Sequence, residues 1–179
     1  AGSTNEAVGL ATELPPMPAT RVIDERNAYI IHTMLQDVIR KGTGRKARSL
    51  ERGDLAGKTG TTNDAADTWF NGYNPDVVTT VWVGFPNHQP LGSREWGSNN
   101  PLPIWIEYMQ TALAGKPERF LDQPAGVVTK KIDPQSGELA PARQKDAIFE
   151  FFLSEHTPRE NAQNRRGDPA EEINPVDIF

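Results

Sequence analysis

Residues 54–85 hold three strand-like runs with little chain between them, Asp54–Thr62, Thr68–Tyr73 and Val77–Phe85. Asn74-Pro75-Asp76 separates the second from the third. This is strong turn chemistry, because proline presets φ while Asn and Asp bond their own backbone. A parallel crossover consumes about a dozen residues or more, so these spacings demand an antiparallel meander. The third run carries β-branched residues at Val77, Val78, Thr79, Thr80, Val81 and Val83. It is apolar enough to be covered on at least one face.

On either side of the meander the hydrophobic period changes. Over residues 24–41, Ala28, Ile31, Leu35 and Val38 recur at helical spacing, with Met34 and Ile39 widening the stripe. Asp24 suits the N-cap, Arg40 and Lys41 the C-terminal dipole, and Gly42 the C′ position. Gly42-Thr43-Gly44 predicts a loose, sharply turning exit, and residues 45–53 a charged, exposed stretch. A loop rich in Pro, Gly, Asn and Ser follows the meander. A second helix is predicted from Pro103 to Ala114, ended by Gly115. Its stripe of Trp105, Tyr108, Met109, Ala112 and Leu113 reads as packing against a sheet.

The flanks divide by composition. Leu14-Pro15-Pro16-Met17-Pro18 forbids a helix and makes residues 1–20 a linker. Residues 21–118 hold the meander and its helices, and residues 119–157 read as a β-rich extension. Strands are expected there near 127–132 and 147–153, with a turn at Asp133-Pro134-Gln135-Ser136-Gly137. Residues 158–179 have few large apolar groups and read as a disordered tail.

Composition excludes several function classes. The formal charge of −5 offers no basic surface for nucleic acid. No run of about 18 apolar residues is present, so no segment is expected to span a membrane. The N-terminus lacks the charged and apolar regions of a signal peptide. Cysteine is absent, and His32, His88 and His156 show no ligand spacing, so neither a metal nor another cofactor is expected.

The chemistry concentrates in Gly57-Lys58-Thr59-Gly60-Thr61-Thr62-Asn63. An ammonium, two glycines and three hydroxyls stand together, a set suited to an anionic ligand. On an edge strand such a run can take a peptide as an added strand. Gly60 removes a side chain at closest approach, the Thr59 and Thr61 hydroxyls can donate to a carboxylate, and Lys58 adds positive charge. The Thr61 N–H could be half of an oxyanion hole, a role worth about 10²–10³ in rate. Strand alternation puts Lys58 and Thr59 on opposite faces, so the run works only along the strand's edge. Two other readings compete. One is a non-catalytic module that grips peptide carboxylates. The other is a nucleotide phosphate loop, but the glycine before Gly57 is Gly53, one residue too close, and no amphipathic helix follows.

Lys-Thr-Gly is also one of three short motifs of the serine penicillin-recognising enzymes. Around it stand Gly42-Thr43-Gly44, Trp69-Phe70-x-Gly72-Tyr73, Thr79-Thr80-Val81-Trp82-Val83-Gly84, Pro103-Ile104-Trp105 and Asp133-Pro134-x-x-Gly137-x-Leu139-Ala140. In that order, over residues 21–158, they resemble the C-terminal part of the transpeptidase domain of class A penicillin-binding proteins, in particular the penicillin-binding protein 1A type. The resemblance implies an α+β fold of the penicillin-binding protein/serine β-lactamase kind, an antiparallel sheet flanked by helices. It implies a periplasmic enzyme held at the inner membrane by an upstream anchor. Such an enzyme cross-links peptidoglycan stem peptides and is acylated by β-lactams. Lys58 and Thr61 would then be catalytic, and Lys58, Thr59, Gly60, Thr61, Thr62 and Asn63 would line the substrate and β-lactam site.

The sequence departs from the family pattern at one decisive place. No serine is followed by lysine three positions on, so the Ser-x-x-Lys motif of the nucleophile is absent. The two Ser-x-Asn matches, Ser3-Thr4-Asn5 and Ser98-Asn99-Asn100, lie too close to Lys58 and after it. The expected partner is therefore an N-terminal part of the domain carrying both motifs. Alone, the chain is expected to be inactive and to expose apolar helix faces and a bare strand edge.

Overall fold

The computed structural model describes residues 20–160. The linker expected over 1–20 and the tail over 158–179 lie outside them, apart from Thr20 and residues 158–160. Among the described residues, two α-helices and five strands run in the order α1 (Glu25–Arg40), β1 (Ala56–Thr61), β2 (Asp67–Tyr73), β3 (Val78–Gly84), α2 (Pro101–Ala112), β4 (Val127–Ile132) and β5 (Ile148–Leu153).

The meander forms as its spacing requires. β1, β2 and β3 make one antiparallel sheet in that order, with Thr59 opposite Phe70 and Phe70 opposite Val81. Asn74 closes the β2–β3 turn by accepting the Asp76 and Val77 N–H groups on its side-chain oxygen. Period-2 alternation gives the sheet two unlike faces. Thr68, Phe70 and Gly72 are buried, whereas Trp69 and Asn71 between them are exposed.

α2 covers the Phe70 face. Leu102, Trp105, Met109 and Leu113 form its buried stripe and join Phe70, Leu55, Ala47 and Ile39 in the core. The helix begins at Pro101, two residues earlier than expected, which brings in Leu102, while Tyr108 of the expected stripe is exposed. Trp105 stands edge-on to Phe70 at 5.0 Å and lies over Gly72, where a Cβ would sit 2.6 Å from the indole. Gly72→Ala should therefore cost about 1–3 kcal/mol of stability, as overpacking does in a rigid core. Thermal unfolding checks this, and an unchanged midpoint would mean that Trp105 is free to move aside.

α1 starts where Asp24 predicts, with its carboxylate accepting the Arg26 N–H at 2.9 Å. Its buried face differs from the expected stripe. His32, Thr33, Gln36 and Ile39 are buried, and Ile31 and Met34 are exposed. The helix packs beside β1, and polar ties hold it to the neighbouring segments. His32 Nδ1 meets the Tyr73 hydroxyl at 3.1 Å, and Gln36 Nε2 donates to the Gly53 carbonyl. Burial lowers the His32 pKa, favouring the neutral ring that can accept the tyrosine proton. The stretch 45–53 is not simply exposed either. Residues Arg45–Leu50 form a 3-10 helix that buries Ala47 completely.

β4 and β5 make a separate antiparallel pair, and β4 ends in a turn in which Asp133 accepts the Gln135 and Ser136 N–H groups. This pair leans on α1. Tyr29 meets Phe151 edge-on, Arg26 pairs with Glu155, and Lys41 lies 3.8 Å from Glu150. The start of the expected tail is held, since the Leu139 N–H donates to the Arg159 carbonyl.

Candidate functional site

The Lys-Thr-Gly run lies where its chemistry needs it. It is in β1, which borders β2 on one side and is an edge of the three-stranded sheet. Ala56 and Gly57 are buried, and the strand opens at Lys58. The phosphate-loop alternative fails on this point, because Gly57-Lys58-Thr59 sits inside a strand and not at a helix N-terminus.

The hydrogen-bond phase of the strand decides what faces outward. The Thr62 N–H donates to the Asp67 carbonyl across the ladder at 3.0 Å. Antiparallel bonding alternates, so Gly60 and Lys58 also turn their backbone groups toward β2. Thr59 and Thr61 turn theirs away from the sheet. The Thr61 N–H is thus an outward donor on an open edge.

Side chains from opposite faces converge on that edge. The Lys58 side chain folds along the strand, and its Nζ donates to the outward Thr59 carbonyl at 3.1 Å. This eases the alternation problem, since the ammonium reaches the strand's edge at the Thr59 carbonyl. The Thr59 hydroxyl is 2.8 Å from the Thr43 hydroxyl, which follows α1. The Thr61 hydroxyl accepts the Gly97 N–H at 3.2 Å. Gly97 presses against the strands, where a Cβ would lie 2.5 Å from the Trp69 carbonyl oxygen and 2.8 Å from that of Gly60. Any other residue would push this loop off Thr61.

Four of the six expected residues, Lys58, Thr59, Gly60 and Thr61, therefore share one edge. Thr62 and Asn63 belong to the turn that follows. The Thr62 hydroxyl is engaged with Asp67, accepting its N–H at 2.8 Å and donating to its carbonyl at 3.3 Å. Asn63 opens a short 3-10 turn in which Asp64 and Ala65 both adopt positive φ, 59° and 52°. Two successive non-glycine residues in this region are strained, so the bonds around them must hold the turn at the end of the strand.

Thr43 and Gly97 were not among the expected site residues. The signal for Thr43 was present, a hydroxyl between two glycines just before the strand. Gly97 gave none, being one glycine in a loop rich in them. Lys46 ties the two segments together, donating to the Ser98 carbonyl at 2.8 Å and to Asn99 Oδ1 at 3.1 Å.

The edge can bind an extended peptide by its backbone, a carboxylate by two hydroxyls, and an oxyanion by an N–H. Among the described residues, no serine side chain joins the groups bonded at this edge. Among the described residues, no helix is long and apolar enough to cross a membrane.

Comparison with known proteins bears on this arrangement. The family model of the penicillin binding protein transpeptidase domain matches residues 3–104. Penicillin-binding protein 1A of Pseudomonas aeruginosa is 49% identical over 174 residues, which are 94% of this chain and 21% of that protein. Penicillin-binding protein 1A of Neisseria lactamica is 50% identical over 110 residues, 62% of this chain and 14% of its own length. The chain thus spans about a fifth or less of the curated relatives it matches. The crystal structure of penicillin-binding protein 1A from Haemophilus influenzae superposes with a TM-score of 0.74 at 37% identity, over 80% of this chain and 22% of that one.

Proposed function

This chain belongs to the penicillin-binding protein transpeptidase family, and from that premise we propose that it forms the ligand-binding edge of a serine D,D-transpeptidase that cross-links peptidoglycan. The single observation that carries the reading is the open edge from Lys58 to Thr61, with two hydroxyls and an outward N–H beside one ammonium.

The roles follow from the chemistry of each group. A stem peptide ending in D-Ala-D-Ala adds to the edge of β1 as a strand. The Thr59 and Thr61 hydroxyls donate to its terminal carboxylate. The Thr61 N–H points where the scissile carbonyl oxygen gains charge, a contribution worth about 10²–10³ in rate. A serine from the remainder of the domain attacks that carbonyl and forms an ester as the terminal D-Ala leaves with its amine protonated. An amine of a neighbouring stem peptide then takes the acyl group and releases the serine. Lys58 lies near the serine and helps to move the proton it loses. A β-lactam follows the first half of this path and stays on the serine. The parent protein would work in the periplasm, anchored upstream to the inner membrane.

Labelling with a fluorescent penicillin, followed by a denaturing gel, tests this. The expected result is no label on this chain alone and a label on the serine-bearing part when both are present. A parent protein that takes no label would overturn the transpeptidase reading and leave a carboxylate-gripping module. Label on this chain by itself would show that its own residues supply a nucleophile.

A further inference from the structure

We propose that Thr43 is a positioning residue for carboxylate recognition. In this reading its hydroxyl donates to the Thr59 oxygen and so directs the Thr59 proton outward to the ligand. The inference rests on the proposed role of the β1 edge and extends it to a residue from another segment.

An ionised carboxylate only accepts hydrogen bonds. A threonine hydroxyl has one proton, so Thr59 can serve a carboxylate only if it does not spend that proton elsewhere. In the free protein the 2.8 Å contact between the Thr43 and Thr59 hydroxyls can run in either direction. With a carboxylate in place it can run in one, from Thr43 to Thr59 to the ligand. Hydrogen bonds in such a chain polarise and strengthen one another.

The neighbouring hydroxyl shows the same arrangement with its direction already set. Thr61 accepts from the Gly97 N–H, a group that can only donate, and keeps its own proton for the ligand. Thr43 does for Thr59 what Gly97 does for Thr61. The Thr43 position is also secured. Gly42 N–H donates to the Asp37 carbonyl at 3.0 Å and Gly44 N–H to the Val38 carbonyl at 2.9 Å, which fastens both neighbours to the last turn of α1. The exit from α1 is therefore tied down, not loose.

Two aligned donors favour a ligand with two acceptor oxygens. A C-terminal carboxamide has one oxygen and no charge, so one hydroxyl proton loses its charged acceptor. Thr43 thus contributes to specificity as well as affinity.

The test compares Thr43→Val and Thr43→Ser in the parent transpeptidase. The substrates are one D-Ala-D-Ala peptide with a free carboxylate and the same peptide as its carboxamide. Wild type should prefer the carboxylate. Thr43→Val should lower kcat/KM for the carboxylate about fivefold, mainly through KM, and leave the carboxamide unchanged. Thr43→Ser should restore it. An equal loss on both peptides, or no loss on either, would overturn the positioning role while the site reading stands. A wild type without the carboxylate preference would remove the site reading, and this inference with it.

Discussion

Replacing Lys58 by alanine is expected to lower β-lactam acylation of the parent transpeptidase about 10²–10⁴-fold, the range typical of a lost proton-transfer group. The fold should barely notice. Lys58 is exposed, and its ammonium donates to the Thr59 carbonyl. Surface changes of this kind stay within about ±0.5 kcal/mol, so the unfolding midpoint should not move. Lys58→Arg separates two roles. A guanidinium keeps the charge but cannot release its proton. If the ammonium moves protons, arginine should recover carboxylate binding and little of the rate. Full activity in Lys58→Arg would show that charge alone matters, and a large fall in midpoint for Lys58→Ala would mean that the lysine is structural. Acylation rates with a chromogenic β-lactam, read beside thermal unfolding, distinguish these outcomes.

Asp54→Ala should have the largest effect on stability, about 3–5 kcal/mol, the range for removing one partner of a buried ion pair. The Asp54 side chain is wholly buried and forked against Arg52, with contacts of 2.9 and 2.7 Å. It also accepts the Asn74 side-chain amide at 3.1 Å and the Arg119 N–H at 3.2 Å. Arg52 in turn donates to the carbonyls of Lys116 and Pro117. One carboxylate thus joins the start of β1, the β2–β3 turn and the chain leaving α2. Removing it strands a cation and an amide out of water.

The same group makes stability depend on pH. Burial alone would raise the Asp54 pKa. The bonds from Arg52, Asn74 and the Arg119 N–H outweigh it, and the net pKa lies below the usual carboxylate value. A depressed folded-state pKa contributes stability that is complete above the unfolded pKa, near 4, and is lost as pH falls through the folded one. Wild type should lose midpoint below about pH 4. Asp54→Ala should start lower and lose less over that range. Equal acid slopes in the two proteins would mean that Asp54 is not the group responsible.

How far the fold could be read in advance varied with the range of the cause. The meander was legible because short spacings and the Asn74 turn leave antiparallel pairing as the sole option. The start of α1 was legible because Asp24 caps it within two residues. The buried face of α1 was not. Periodicity pointed to Ile31 and Met34, yet both are exposed, and His32 and Gln36 are inside. Their partners, Tyr73 and the Gly53 carbonyl, lie 41 and 17 residues away, beyond the reach of any local pattern. Trp105 was legible as a core residue, but not that it closes over Gly72, where the absence of a Cβ admits the ring.

The sequence by itself determined the order and type of the helices and strands and the residues of the Lys58–Thr61 run, because propensity, capping and motif chemistry act over a few residues. Tertiary structure decided which of those groups could act together. The phase of the β1–β2 ladder turned the Thr61 N–H outward and left Thr62 engaged with Asp67. Packing brought Thr43 and Gly97 onto Thr59 and Thr61 from positions 16 and 36 residues away. A hydrogen bond has a length but no sequence separation, so only the folded chain could choose those partners.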